Sequence, residues 1–529
     1  MKSNKTIDAP KLTHSILVPQ VDRLEEDPLE VLRLVRSARN ILAPINRVPP
    51  ELFESLIPQH WSKNDTDRAV ITMTHVCQRW RAILTTRSSL WTRLVCTDAE
   101  KTRTYIERSK STPLEIDVHR SEHLFTLKNV LPLVIPHNGR VASIHITGDE
   151  YIFGCFAGLL SGPIPLLRDL QINLTDESLP ILDDTLFNGD LSSLSRLFLR
   201  GVISNLPWTN LSKLTTFSFF LAPKETVSIT GLLDLFENAP LLSKVELGSI
   251  PDFSDAPPGR VVSLPYLEEL AIFTGQVQSS SSPLLNHILI PTGARLLQQF
   301  TYSGDEFPIF NYYLPKSPKN LRNILNVTSV HLQFNREPLE FGGEGTFIIR
   351  LTGPNGEFDA TATQKDSIGA TPMASDRGIL QSLDYFALSG SQRLLVYIFE
   401  RPTYGETYES LTRCTLNVMQ DLHTLILLHY SNLPFTIALN PDKNSQKLTL
   451  CPKLEKLVLG LKPGFDFKEL IGMAKERALR DARLQLVTLI SDPFHSGMAS
   501  EEELSELGKY VTHVECETWE TVSFFSLSR

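Results

Sequence analysis

Nucleophiles, metal ligands and phosphate cradles announce themselves by residue type and spacing, and this sequence holds few such constellations. The six cysteines stand at 77, 96, 155, 414, 451 and 516, with no C-x-x-C pair to make a zinc knuckle or a dithiol redox site. The thirteen histidines are scattered, and none has a partner at metal-ligand spacing. No G-x-S-x-G, H-E-x-x-H or G-x-x-x-x-G-K-[ST] string occurs. Gly508-Lys509 is followed by Tyr510 and lacks the upstream glycine of a phosphate-binding loop. Gly342-Gly343-Glu344-Gly345 falls in a predicted hairpin loop, where glycine serves a turn. The sequence therefore predicts no catalytic, cofactor or metal site, and a protein that is not an enzyme.

Composition narrows the class further. The chain has 529 residues, 42% hydrophobic and 21% charged, which suits a folded protein with one large architecture or two domains. A net charge of −9 and a pI near 5.9 oppose the basic stripe of a nucleic-acid binder. The first twenty residues lack the apolar core of a secretion signal, and no segment approaches the ~20 apolar residues that span a bilayer. Free buried thiols in a reducing compartment follow. The expectation is an intracellular protein, cytoplasmic or nuclear, that engages neither membrane nor nucleic acid.

Residues 1–27 are polar and irregular, and are expected to be disordered or loosely attached. A helix then begins: Asp27 can cap it, Pro28 suits its first position, and Glu30 favours its positive end. Val31, Leu34, Val35, Ala38, Ile41 and Leu42 recur along it at helical spacing and need a partner. Three short helices are predicted next. Pro49 and Pro50 open the first, which carries Leu52, Phe53, Leu56 and Ile57. Asp65 or Thr66 caps the second, with Val70 and Met73, and the third runs through Val76, Trp80, Ile83 and Leu84. Residues 28–95 thus form a small helical module that cannot bury much by itself.

From about residue 110 the texture changes to a degenerate repeat, apolar-x-x-apolar-x-apolar. It appears at Val141-Ile144-Ile146, Leu167-Leu170-Ile172, Leu194-Leu197-Leu199, Leu214-Phe217-Phe219, Leu242-Val245-Leu247, Leu267-Leu270-Ile272, Leu297-Phe300-Tyr302 and Val327-Val330-Leu332. It returns at Leu422-Leu425-Leu427, Leu454-Leu457-Leu459, Leu484-Val487-Leu489 and Val511-Val514-Cys516. Steps of 20 to 32 residues lie near the period of leucine-rich repeats. Each unit supplies one strand that cannot cover its apolar face alone, so the units must stack. The segments 231–240 and 467–477 read as intervening helices, with capping-box starts at Asp466-x-x-Glu469 and Ser500-x-x-Glu503. The fold class expected for residues 110–529 is an irregular leucine-rich-repeat-like α/β solenoid, with an irregular insertion at about 335–410. Within that insertion a hairpin is predicted to turn at Pro354-Asn355-Gly356, and Leu383-Phe386-Leu388 and Leu394-Tyr397-Phe399 can restart the repeat.

The helical module carries a resemblance. Val48-Pro-Pro-Glu-Leu, then His75-Val-Cys-Gln-Arg-Trp-Arg, then Ser89-Leu-Trp resembles the F-box of large fungal F-box protein families. The match covers about fifty residues, and Val48 stands where leucine is usual. The resemblance implies a module that docks a Skp-type adaptor and, through it, a cullin–RING ubiquitin ligase. By position, the adaptor-facing residues would be Val48, Pro49, Leu52, Ile57, Val76, Cys77 and Trp80. An F-box ahead of leucine-rich-like repeats then implies a substrate receptor, with an unidentified target protein on the repeats. The second reading is an interaction scaffold whose F-box-like helices no longer bind the adaptor.

In strands of this kind the residues between the apolar ones face the opposite surface. Early repeats place His145, Gln171, Asn173, Arg200 and Glu246 there; late repeats place Ile426, Leu428, Val458 and Ile490. An exposed late surface would bind the target through apolar contact. The alternative is that the segment between Leu332 and Leu422, or the last helix, covers it.

Overall fold

The computed structural model describes residues 28–47, 63–119, 124–175, 186–204, 210–220, 229–248, 259–274, 282–302, 318–336, 345–364, 388–398, 415–428, 450–461, 465–491 and 499–518. It also describes residues 49, 52, 180–182, 313–315, 382–386 and 438–440. The fold is mixed α/β, built on a large and mostly parallel sheet, and divides into two compact units at Ala142 and Ser143. Among the described residues no helix is long and apolar enough to cross a membrane.

The first unit opens with α1 (Pro28–Leu42), α2 (Lys63–Thr74) and α3 (Gln78–Thr86). α2 starts ahead of Asp65 and Thr66, so both lie inside it rather than at its cap. Asp27 and the predicted helix through Phe53 to Ile57 lie outside the described residues. Beyond α3, Trp91 anchors the unit. Its ring is buried, its indole N–H donates to the Leu84 carbonyl at 2.9 Å, and Tyr105 meets it edge-on at 5.0 Å. Tyr105 belongs to α4 (Ala99–Ser109), which Asp98 caps by accepting from the Lys101 N–H. The strands β1 (Arg93–Val95) and β2 (Leu114–Val118) pair in parallel beside it. Leu84, Leu94, Leu114 and Ile116 are buried in this unit.

The second unit is a run of strands laid side by side almost in chain order. They are β3 (Val141–Gly148), β4 (Asp169–Leu174), β5 (Arg196–Arg200), β6 (Thr216–Phe220), β7 (Lys244–Gly248), β8 (Glu269–Thr274) and β9 (Arg295–Tyr302). Each pairs in parallel with the next, so Ile144, Leu170, Leu197, Phe217, Val245, Leu270 and Leu296 form one continuous row. That row and the next, through Ile146, Ile172, Leu199, Phe219, Leu247 and Ile272, point into a common core and are buried. Parallel neighbours require crossovers, and α6 (Glu150–Leu160) and α7 (Ile229–Asn238) are two of them, numbered after α5 (Leu124–Val134).

One hairpin breaks the chain order. β10 (Ser329–Arg336), β11 (Gly345–Gly353) and β12 (Gly356–Gln364) enter so that β12 pairs with β9, β11 lies antiparallel between β12 and β10, and β10 pairs with β13 (Arg393–Ile398). The hairpin turns at Pro354-Asn355, where the predicted turn lies. Gly356 has φ +135, and a Cβ there would meet the Ala294 carbonyl oxygen at 2.5 Å, so glycine is required. Parallel order then resumes through β14 (Thr424–Leu428), β15 (Lys456–Gly460), β16 (Leu486–Ser491) and β17 (His513–Thr518).

Two repeats sit out of their predicted frame. In β9 the core-facing residues are Leu296, Gln298 and Phe300, and Leu297 faces the other way. Gln298 tolerates burial because its side-chain N–H donates to the Tyr313 carbonyl at 2.9 Å. In β13 the core-facing pair is Leu394 and Val396, which places Tyr397 on the opposite face. Leu383-Phe386-Leu388 forms short 3-10 turns, Ser382–Tyr385 and Leu388–Gly390, rather than a strand. The predicted helices fare better: α8 (Phe467–Leu479) starts at Asp466, and α9 (Glu501–Gly508) starts with a complete capping box between Ser500 and Glu503.

Candidate functional site

The resemblance points to the surface of the first unit. Of its seven residues, Val48 and Ile57 lie outside the described residues. Pro49 is exposed, Leu52 is 51% exposed and Val76 is 53% exposed. Leaving large aliphatic side chains in water is unfavourable by ~25 cal/mol per Å², so the exposure of Leu52 and Val76 is a cost that the first unit carries.

Cys77 and Trp80 are held differently. Cys77 is the N-cap of α3, and its sulfur accepts from the Trp80 N–H at 3.5 Å. The indole N–H of Trp80 donates to Asn46 Oδ1 at 2.5 Å, while the Asn46 amide donates to the Asn40 carbonyl near the end of α1. Asn46 is buried. Its two ends are thereby spent in joining α1 to α3. Cys77 and Trp80 are half-buried parts of that joint, and Val76, next to Cys77 in the chain, is exposed. Asn46 was not marked by the sequence. The only signal is its position between two helices that must be fastened.

The second candidate surface is the face of the large sheet turned away from the common core. On its early strands this face is polar and ordered by charge. Asp169 accepts from Gln171 at 3.2 Å, lies 3.3 Å from His145 Nε2, and pairs with Arg196 at 2.8 Å. Burial alone would raise the Asp169 carboxyl, but His145, Gln171 and Arg196 together hold it below the usual carboxylate range. Lys244 bridges Glu246 and Glu269 at 3.0 Å each, and those two carboxylates push its pKa up. Above this ladder lies an aromatic row. Phe220 stacks on Phe273 at 5.9 Å and meets Phe198 at 5.6 Å, with the Arg200 guanidinium 6.0 Å from the Phe220 ring. Gly248 makes this possible, because a Cβ there would stand 2.1 Å from Phe220 Cδ1. The sequence marked His145, Gln171, Asn173, Arg200 and Glu246 for this face. It did not mark the phenylalanines, whose spacing matters only once strands β5, β6 and β8 lie in register.

The late strands correct an expectation. Ile426, Leu428, Val458 and Ile490 do come together, but they are buried, in one cluster with Leu395 and with Tyr397 packed against it. Register brings them together: Leu395, Ile426 and Val458 form one row across β13, β14 and β15. Leu428 and Ile490 belong to the next row, to either side of Gly460. They make a second core and offer no exposed apolar surface to a target.

Chemically reactive groups are few among the described residues. Burial pushes the Cys96 thiol up to about 12, with Asp117 adding to it, and burial does the same for Cys451, opposed by Arg477. Both are neutral thiols at pH 7 and poor nucleophiles. No group of three or more His, Cys, Asp or Glu side chains among the described residues could hold a metal ion. No family model matches the chain, and no curated protein matches it.

Proposed function

We propose that the chain is a substrate-receptor subunit of a Skp–cullin–F-box ubiquitin ligase. On this reading the first unit is an F-box and the second an irregular leucine-rich-repeat-like solenoid, neither of them catalytic. The observation that carries it is the coincidence of the Val76-Cys-Gln-Arg-Trp-Arg motif with aliphatic side chains left in water at Leu52 and Val76. The adaptor docks on Pro49, Leu52 and Val76, while Cys77 and Trp80 act as the joint that holds that surface in shape.

The target goes to the early strands. Their outer face offers half-buried rings and ordered charge, the mixture found at protein interfaces. One observation favours the scaffold reading instead: Trp80 and Cys77 spend their polar atoms inside the unit, which a purely structural module would also do. Co-expression with a Skp-type adaptor separates the two. The receptor reading expects a complex that survives gel filtration and is lost in Val76→Asp with folding intact. A chain that forms no complex, or one indifferent to that substitution, is a scaffold.

A further inference from the structure

A cleft runs between α1 and the start of α3 in the first unit. Its volume is about 360 Å³, enough for a few side chains but not a folded domain. One wall is a single stripe of α1. Leu29, Leu32, Arg33, Arg36, Ser37 and Asn40 recur at intervals of one, three or four residues along one helical face. The other wall comes from the start of α3, with Cys77, Gln78, Arg79 and Arg81, and Asn46 lies at the base.

The chemistry of this lining is one-sided. Among the described residues, four arginines line the cleft and no aspartate or glutamate does, in a chain whose net charge is −9. Arg33 also pairs with Glu30 at 2.8 Å, an exposed contact of little strength that a bound carboxylate can replace. Arginine presents a planar fork that matches a carboxylate in two hydrogen bonds. Beside the arginines, Leu29 is 75% exposed and Leu32 is 44% exposed. The stripe therefore changes along α1 from aliphatic to cationic to polar, over about 16 Å at the helical rise.

We propose that this cleft binds an acidic peptide segment bearing leucine-type side chains, the aliphatic groups on Leu29 and Leu32 and the carboxylates on Arg33, Arg36 and Arg79. A free inorganic anion would use the arginines and leave the leucines idle. A nucleic acid would want stacking rings, and the described lining residues include none. The joint made by Asn46 keeps the walls fixed, since it ties the Asn40 carbonyl of α1 to the Trp80 indole of α3. Such preorganisation favours a peptide that orders on arrival.

The test uses the full chain without any adaptor, so its failure and that of the ligase reading are separate results. A labelled twelve-residue peptide of alternating leucine and glutamate pairs is titrated by fluorescence anisotropy. Saturable binding is expected, weakened roughly tenfold in Arg33→Glu/Arg36→Glu at an unchanged melting temperature. A peptide with lysine in place of glutamate should bind that double variant better than the wild type. If the double variant melts early, Arg36→Gln takes its place as the deciding variant, with an expected loss of about threefold. No binding, binding indifferent to these substitutions, or displacement by inorganic phosphate or a single-stranded oligonucleotide at equal concentration overturns the proposal.

Discussion

The helical module and the late strands treat similar aliphatic residues in opposite ways. In the module Leu52 and Val76 stand in water, whereas in the strands Ile426 and Val458 are shut inside a second core. On sequence the module residues are expected at the surface, and for the strand residues exposure and coverage are both open. Part of the difference lies in the aliphatic neighbours that register supplies. A strand in a parallel array is flanked on both edges, so an aliphatic residue on its outer face finds others alongside it. Val76, in the turn between α2 and α3, has no such row to join. Its side chain stays in water.

The same change, aliphatic to aspartate, should therefore break fold in one place and binding in the other. Ile426→Asp or Val458→Asp puts a charge into the second core and is expected to cost ~3 kcal/mol or more, or to prevent folding, as read by urea unfolding. Gly248→Ala probes the polar half of the same face. Its methyl group must displace the Phe220 ring from its stack on Phe273, with a loss of about 1–3 kcal/mol in the same assay.

His331 gives a pH-dependent measure at the boundary between the halves. Burial lowers its pKa to about 4, helped by Arg350 and Arg393 and opposed by Asp359. The unfolded chain takes up the proton near 6.5, before the folded one does. Its contribution is complete above about pH 6.5 and is lost as pH falls toward 4. Between those values the melting temperature of His331→Gln should fall less steeply than that of the wild type. A parallel fall would show that His331 has no part in the acid sensitivity of the fold. Smallest of all should be Val76→Asp, within about 0.5 kcal/mol of the wild type, since its side chain already meets water.

Much of the fold is legible in the sequence. Helix starts at Pro28, Asp466 and Ser500, the turn at Pro354-Asn355, and most strand frames follow from local chemistry that depends on a few adjacent residues. What escaped depends on residues far apart in the chain. The frames of β9 and β13 slipped because Gln298 occupies a core position on the strength of a carbonyl fifteen residues away, and because Tyr397 mimics a residue of the common core while packing against the second one. The aromatic row of Phe198, Phe220 and Phe273 exists only through register, and the place of Asn46 only through the crossing of two helices. The burial of Ile426 and its neighbours belongs to the same group.

The most direct measurement pairs binding with stability across the two regions. Wild type, Val76→Asp and Ile426→Asp are each co-expressed with a Skp-type adaptor, then assayed by gel filtration and thermal melting. The expected results are a wild-type complex, a Val76→Asp chain that melts normally but elutes alone, and an Ile426→Asp chain that is unstable with or without the adaptor. A Val76→Asp chain that still binds would contradict an adaptor surface at Val76, and an Ile426→Asp chain that melts like the wild type would contradict the second core.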